Sequence, residues 1–202
     1  LANALYPLIG DKAPLEQGLA VFADTFESAS ARMLADKLGL ESVNRDGDDK
    51  LLAELFDLLQ AVETDMTIFF RALADVPLEA NAKDDALTAP LARAFYDESG
   101  TGAAHQVRLA AWLRAYAARA RVDGGPERRA RMNRTNPKYV LRNYLAQEAI
   151  DALSTGDASV MERLMKTLER PYDEQPEHEA LADRRPEWAR NKPGCSALSC
   201  SS

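Results

Sequence analysis

The sequence has few of the residues that build disulfide, metal or membrane structures. Its 202 residues include only 2 Cys and 2 His. Two Cys, both among the last eight residues, cannot form a disulfide framework that holds a fold together. Neither His has a Cys or a second His at metal-ligand spacing. No apolar run approaches the roughly 18 residues that a membrane-spanning helix needs. We therefore predict no disulfide scaffold, no metal site and no membrane partner.

Motifs for nucleotide binding and nucleophilic catalysis are also missing. The Gly124-Gly125 pair precedes a Pro and lacks the Lys-Ser/Thr ending of a phosphate loop. No Gly-x-Ser-x-Gly elbow, kinase catalytic loop or magnesium-binding triplet occurs. The acidic stretch 44–49 starts like a calcium loop, but Asp49 replaces the required Gly and Leu55 replaces the final Glu. The sequence thus offers no catalytic, cofactor-binding or metal-binding residue of its own.

What the chain does contain is a helical apolar rhythm. Apolar residues make up 46% of the sequence, enough for a core at this length, and they recur at spacings of three, four and seven. No alternating run is long enough to require a strand. We predict an all-α helical region over residues 1–170, followed by an irregular, Pro-containing tail over residues 171–202.

The boundaries of the helices follow from turn residues and caps. Predicted helices cover residues 14–38 with Gly39 as the stop, about 48–61, from Thr64 or Asp65 to before Pro77, 84–97 with a break at Pro90, 103–121, and a short basic stretch ending near Met132. Asp46 or Asp48 is predicted to cap the second of these, and Ser99–Gly102 to form a flexible joint. Asn136-Pro137 is predicted to start the next helix, and Gly156-Asp157 the last.

Charge is distributed unevenly along the chain, whose net charge is -7. Residues 1–100 hold 19 acids and 8 bases, whereas residues 101–142 hold 2 acids and 10 bases. A basic block of this kind can bind an acidic or phosphorylated partner, or it can pair with the acidic first half of the same fold. We expect the intramolecular pairing and no nucleic-acid partner, because the block lacks a nucleic-acid-binding motif.

The two cysteines are the remaining chemically reactive candidates. Cys195 and Cys200 do not have the spacing of a thioredoxin-type motif and form a poor zinc half-site. A thiol at the third position from the end of the sequence is expected to be accessible to oxidants, but a reduced, unreactive thiol fits the same residues. Both interpretations of Cys200 stay open on this ground.

Three stretches in the last third of the chain resemble the SelO family, called YdiU in bacteria. The first, residues 131–143, reads RMNRTNPKYVLRN, and the second, residues 171–176, reads PYDEQP. The third, residues 185–196, reads RPEWARNKPGCS and is followed by SCSS at residues 199–202. These motifs are long and specific, whereas residues 1–100 fit the family without adding specificity.

The resemblance implies a protein-kinase-like fold and a protein adenylyltransferase activity. Such enzymes transfer AMP from ATP, with Mg²⁺, to hydroxyl side chains of protein substrates. The family's nucleotide- and metal-binding residues precede the stretch that this chain resembles, so none is carried over and no cofactor is expected on this chain. The resemblance makes the chain the later helices of the kinase-like C-lobe plus the C-terminal extension, with the upstream half of the protein as its partner. The start at Leu1, with no Met, fits a part of something longer.

The same resemblance implies a redox role for Cys200, since selenocysteine occupies this position in some animal relatives. Its disulfide partner could be Cys195 or a cysteine upstream of this chain.

For Asn136-Pro137 and Arg142-Asn143 we favour a structural role. A cytoplasmic location is implied for bacterial members and a mitochondrial one for eukaryotic relatives. The alternative function is an independent helical interaction module that uses the basic block, residues 101–142.

Overall fold

Helices form almost all the regular structure in the computed structural model, which describes residues 1–96 and 102–195. The α-helices are α1 Ala2–Ile9, α2 Ala13–Leu38, α3 Asp48–Ala61, α4 Met66–Ala72, α5 Asp84–Thr88, α6 Ala103–Asp123, α7 Arg128–Thr135, α8 Asn143–Ser154 and α9 Ser159–Leu168. Short 3₁₀ helices cover Leu73–Asp75, Ala89–Ala94, Pro176–Ala182 and Glu187–Ala189. An isolated bridge joins Thr64 to Phe95, and no strand forms within these two ranges. The all-α prediction is confirmed there.

Helix α6 forms the centre of the larger of two hydrophobic cores. Its side chains Trp112, Leu113 and Tyr116 are almost completely buried, and the two rings stack with centroids 5.3 Å apart. The Trp112 indole donates a hydrogen bond to the Leu51 carbonyl at 2.8 Å, and the Tyr116 hydroxyl donates to the Leu38 carbonyl at 2.8 Å. Each aromatic ring therefore combines apolar burial with a satisfied polar atom, which fixes α3 and the end of α2 against α6.

The predicted stop at Gly39 is confirmed, and the structure gives it a second cause. Gly39 has φ +67°, a left-handed conformation that favours glycine. A Cβ atom at this position would also lie 2.7 Å from the sulfur of Met132 on α7. The absence of a side chain thus ends α2 and lets α7 pack against that end.

Two other predicted boundaries are also confirmed. Asp65 precedes α4 and its carboxylate accepts the Ile68 amide at 3.1 Å, as an N-cap does. The predicted helix over 84–97 is interrupted where Pro90 lies, because α5 ends at Thr88 and a 3₁₀ helix follows. The predicted joint falls mostly on residues 99–101, which lie outside the described residues.

The prediction that Asn136-Pro137 starts a helix is wrong. Asn136 instead ends α7, and the next helix begins only at Asn143. Asn136 has φ -99° and ψ 106°, the extended conformation that a residue before Pro prefers. Its buried amide donates to the Lys37 carbonyl at 2.9 Å, so it links the ends of α7 and α2.

The predicted cap of α3 is wrong as well. Gly47, with φ +86°, occupies the cap position, and no side chain of the described residues caps the helix. Asp48 lies inside the first turn, where its carboxylate accepts the Arg45 amide at 2.9 Å. Because this carboxylate also accepts a hydrogen bond from Arg119 on α6 at 2.8 Å, it is not available to the helix end.

A second, smaller core joins α8 and α9 to the C-terminal segment. Tyr144, Leu145 and Leu164 from the helices pack with Ala189 and Cys195. The segment 171–195 is irregular apart from its two 3₁₀ helices, yet it contributes buried side chains. The residues after Leu168 therefore belong to the packed structure as far as Cys195.

Helix α1 and most of α2 lie outside both cores. Helix α1 has no buried residue, and the buried residues of α2 are Ala35 and Leu38 near its C-terminal end. The apolar spacing in residues 14–38 predicts a helix correctly, but it does not predict that so much of its apolar surface stays exposed.

Candidate functional site

The three stretches that carry the family resemblance meet around helix α4 and the residues that precede it. The third stretch also lines a cleft of about 740 Å³ between the two cores. Its lining includes Tyr96, Tyr144, Arg163, Asp183 and Trp188. This junction, which we call the α4 clasp, is built from Glu63, Asp65 and Arg71 and is the candidate functional site.

Arg71 connects the first stretch to the second. Its Nη1 donates to the carbonyls of Asn133 at 2.7 Å and Asn136 at 2.9 Å. Its Nη2 donates to the Tyr172 carbonyl at 3.2 Å and the Glu174 carboxylate at 2.7 Å. The planar guanidinium thus satisfies the end of α7 and the turn after α9 at once, a geometry that a lysine cannot reproduce.

Lys138 adds a charged contact between the same two stretches. Its ammonium donates to Glu174 at 2.6 Å and Glu179 at 2.5 Å, and its backbone amide donates to the Pro171 carbonyl at 2.8 Å. Burial works to lower the pKa of Lys138, but the two carboxylates outweigh it and raise that pKa. The hydrogen bonds from Lys138 and then Arg71 lower the pKa of Glu174. Both groups therefore stay charged around neutral pH.

Asp65 connects the first stretch to the third. The Arg142 guanidinium binds it with both terminal nitrogens, Nη2 lying 3.1 Å from Oδ1. The Tyr96 hydroxyl donates to Asp65 Oδ2 at 3.3 Å and accepts the Arg185 amide at 3.1 Å. Burial, followed by the nearby Asp65 charge, keeps the pKa of Tyr96 above its usual value against the bond from Arg185 and the nearby cations.

Glu63 completes the α4 clasp at its outer edge. Its two carboxylate oxygens accept Arg185 Nη2 at 2.6 Å and Arg190 Nη2 at 2.5 Å. The contact between Arg142 and Asp65 agrees with the structural role that we favour for Arg142. Glu63 and Arg71 carry no sequence signal, since isolated charges on a helix or its flank are usually solvated surface. The sequence indicated Asp65 only as a residue at the start of a helix.

The chain is similar to a known family of proteins over most of its length. The family model described as "Protein adenylyltransferase SelO" matches residues 1–169. The chain belongs to the SelO family. It is 56% identical to the protein nucleotidyltransferase YdiU of Nitrosospira multiformis, 47% to that of Rhodopirellula baltica and 48% to that of Aromatoleum aromaticum. Each match covers the whole chain but only 40%, 39% and 38% of the relative. The chain spans about two fifths of the length of these curated relatives.

The structure describes one of the two cysteines of this SelO-family chain. Cys195 is buried in the second core, and its amide donates to the Lys192 carbonyl at 3.0 Å. Cys200 lies outside the described residues. The redox role of either thiol stays a prediction.

The basic block pairs extensively with the acidic first half of the fold, as expected. Arg114 contacts Asp84 and Arg129 contacts Asp75, both at 2.5 Å. Arg142 binds Asp65 in the α4 clasp. These contacts neutralise much of the charge that an independent interaction module would use for a partner.

A buried ion-pair network on α6 is the most enclosed part of this pairing. Arg119 binds Asp48 at 2.8 Å and Asp123 at 2.6 Å, and it donates to the Ser42 carbonyl at 2.9 Å. The Asp48 and Asp123 side chains are 3% and 0% exposed. Burial works to raise the pKa of Asp123, but hydrogen bonds from the Glu41 amide and Arg119 outweigh it and lower that pKa.

His105 packs against Phe95 at the start of α6, and within the described part of the chain neither of its ring nitrogens has a hydrogen-bond partner. Burial and then Arg108 lower the pKa of His105. Among residues 1–96 and 102–195 no group of three His, Cys, Asp or Glu side chains is placed to hold a metal ion. The side chains described do not fit a magnesium site.

Among the helices of residues 1–96 and 102–195, none has the length and apolarity to cross a membrane.

Proposed function

We propose that this chain is the C-terminal part of a protein adenylyltransferase of the SelO family. The enzyme transfers AMP from ATP to Ser, Thr or Tyr hydroxyls of protein substrates with the help of Mg²⁺. The match to the family over residues 1–169 supports this, as do the nucleotidyltransferase names of the relatives. We assign the ATP and Mg²⁺ contacts to the part of the enzyme that the relatives contain and this chain does not. The proposed location is the bacterial cytoplasm.

In this proposal the chain supplies the later helices of a kinase-like C-lobe and the extension that follows them. The observation that carries it is the convergence of the three family stretches on the α4 clasp. Arg71, Asp65 and Glu63 each bind a different part of these stretches with charged hydrogen bonds. A rigid support of this kind positions an active site built on neighbouring elements, because small displacements of reacting groups lower the rate strongly.

A chimaeric enzyme tests the proposal. The chain replaces the matching stretch of the Nitrosospira multiformis relative, and radiolabelled ATP with Mg²⁺ reports AMP transfer to protein. We expect labelling by the chimaera, none after Mg²⁺ chelation, and none by the 202-residue chain alone. Magnesium-dependent AMP transfer by the chain alone would refute the assignment of the active site to the rest of the enzyme.

The redox role falls to Cys200 in this proposal, because a buried thiol such as Cys195 reacts slowly. We expect oxidation to change the activity and the non-reducing gel mobility of the chimaera, and Cys200→Ser to abolish both changes. Cys195→Ser is the matched control. If the oxidised and reduced chimaera differ equally with and without Cys200→Ser, the tail has no regulatory thiol at this position.

Arg71 offers a direct test of the supporting role. Arg71→Lys keeps the charge but loses the contacts to both family stretches, so we expect a lower kcat in the chimaera with little change in KM for ATP. Arg114→Lys is the matched control, since Arg114 forms an exposed pair with Asp84 away from the α4 clasp. Equal kcat values for the two variants would argue against a supporting role of the α4 clasp.

A further inference from the structure

Helix α2 carries an apolar stripe along one side. At about 100° per residue, Leu15, Leu19, Phe22, Phe26 and Met33 fall within about 60° of arc. The stripe is about 27 Å long, from the rise of about 1.5 Å per residue. Such a continuous stripe is typical of a helix that packs along its whole length.

The stripe lies on the side of α2 that faces away from the larger core. Ala35, which packs in that core, is about 180° around the helix from the centre of the stripe. Phe22 and Phe26 are 66% and 63% exposed, and their rings contact each other at 6.0 Å between centroids. Their only ring contact among the described residues is thus with one another.

Exposed apolar side chains also occur on segments next to α2 in the sequence or in space. Helix α1, which precedes α2, exposes Leu8 at 84% and has no buried residue. At the other end of the stripe, Met33 borders an apolar groove of about 240 Å³ that also contains Phe56 and Met66. Exposed apolar surface that exceeds scattered single residues is typical of interaction surfaces.

The α1–α2 face comprises apolar side chains of both helices, namely Leu8, Leu15, Leu19, Phe22, Phe26 and Met33. We infer that this face is the docking site for the part of the same enzyme that lies outside the matched stretch. The inference rests on the proposed function. About three fifths of each relative lies outside the match, so each of these relatives contains a large further segment in the same polypeptide as its matched stretch. The stripe itself carries no charge, which favours a hydrophobic intramolecular interface over a transient, charge-steered partner.

Oxidative footprinting tests this placement with side chains that the chain itself provides. Hydroxyl radicals label Phe22, Phe26 and Met33 in the 202-residue chain and in the chimaera, and mass spectrometry measures the rates. Met165 on α9, which is 61% exposed, is the internal control. We expect labelling of the α1–α2 face to fall at least about fivefold in the chimaera, since the centre of an interface is desolvated. Labelling of Met165 stays the same.

Three results overturn the inference. One is equal labelling of Phe22 and Phe26 in both proteins. Another is an equal fall at Met165, which would mean that the protection is not specific to this face. The third is protection already in the chain alone together with a dimeric mass by light scattering, which would assign the face to a second copy.

AMP transfer by the same chimaera separates this inference from the proposed function. Protection without AMP transfer supports the interface and refutes the activity, whereas AMP transfer without protection does the reverse.

As a further measurement, Phe22→Asp with Phe26→Asp is expected to leave the unfolding midpoint of the 202-residue chain unchanged and to lower that of the chimaera. An unchanged midpoint in both proteins would also overturn the inference.

Discussion

Removing the Arg119 guanidinium measures how much the buried ion-pair network on α6 contributes to stability. Arg119 is 12% exposed, and its carboxylate partners Asp48 and Asp123 are 3% and 0% exposed. Arg119→Ala leaves both carboxylates buried with fewer partners and also removes the donor to the Ser42 carbonyl. Breaking a buried pair costs about 3–5 kcal/mol, and because Asp123 keeps its contact with Arg45 at 2.7 Å we expect the lower end of this range.

Arg114 is the matched control on the same helix. Its pair with Asp84 is similarly short at 2.5 Å, but the two side chains are 49% and 57% exposed. Exposed pairs contribute about 0–1 kcal/mol because water and salt screen them. Both substitutions replace Arg by Ala inside α6, so differences in helix propensity cancel.

Urea unfolding followed by circular dichroism gives the two free energies. For a chain of this size, a loss of 3–5 kcal/mol also corresponds to a fall of about 6–20 °C in Tm. Arg119→Lys, which keeps the charge but not the fork of hydrogen bonds, is expected to fall between the wild type and Arg119→Ala. If Arg119→Ala costs no more than Arg114→Ala, the network is not the stabilising element that its burial indicates.

Three further predictions concern pH and backbone conformation. Because the pKa of Asp123 is lowered in the fold, its contribution to stability is present above its unfolded pKa of about 3.9 and is lost as the pH falls through the folded pKa. Acid titration of the unfolding free energy measures this loss, and Arg119→Ala is expected to reduce it. The pKa of His105 is also lowered, so stability should decrease as the pH falls below about 6.5, and His105→Leu should flatten that decrease in the same titration. Gly39→Ala should cost about 2–3 kcal/mol in urea unfolding, because a left-handed residue with a Cβ costs about 1–2 kcal/mol and the added atom meets a side chain on α7. Gly47→Ala, at φ +86° with open space around it, should cost only the conformational part.

Specific results would contradict each of these. A pH profile that is identical with and without Arg119 would mean that the Asp123 carboxylate is not held by the guanidinium. A decrease below pH 6.5 that persists in His105→Leu would belong to another group. Equal costs for Gly39→Ala and Gly47→Ala would show that α7 is not packed tightly against the end of α2.

Local sequence patterns predicted the helices well where short-range physics decides them. Gly39 ends α2 because only glycine adopts its φ cheaply, and Asp65 caps α4 because its carboxylate reaches an amide three residues away. The same reasoning failed at Asn136, since an Asn before a Pro fits either end of a helix. There the buried amide contact with Lys37, 99 residues away in sequence, decided the outcome.

In the candidate site, too, local sequence patterns and long-range contacts determined different features. The sequence alone determined the all-α class, most helix boundaries and the three stretches that resemble the SelO family. Only the tertiary structure brought those stretches together on Glu63, Asp65 and Arg71, and only it left the apolar stripe of α2 exposed. Backbone preferences and caps act over a few residues and can be read along the chain. Pairing of charges and burial of apolar faces depend on which elements meet in space, which local periodicity does not encode.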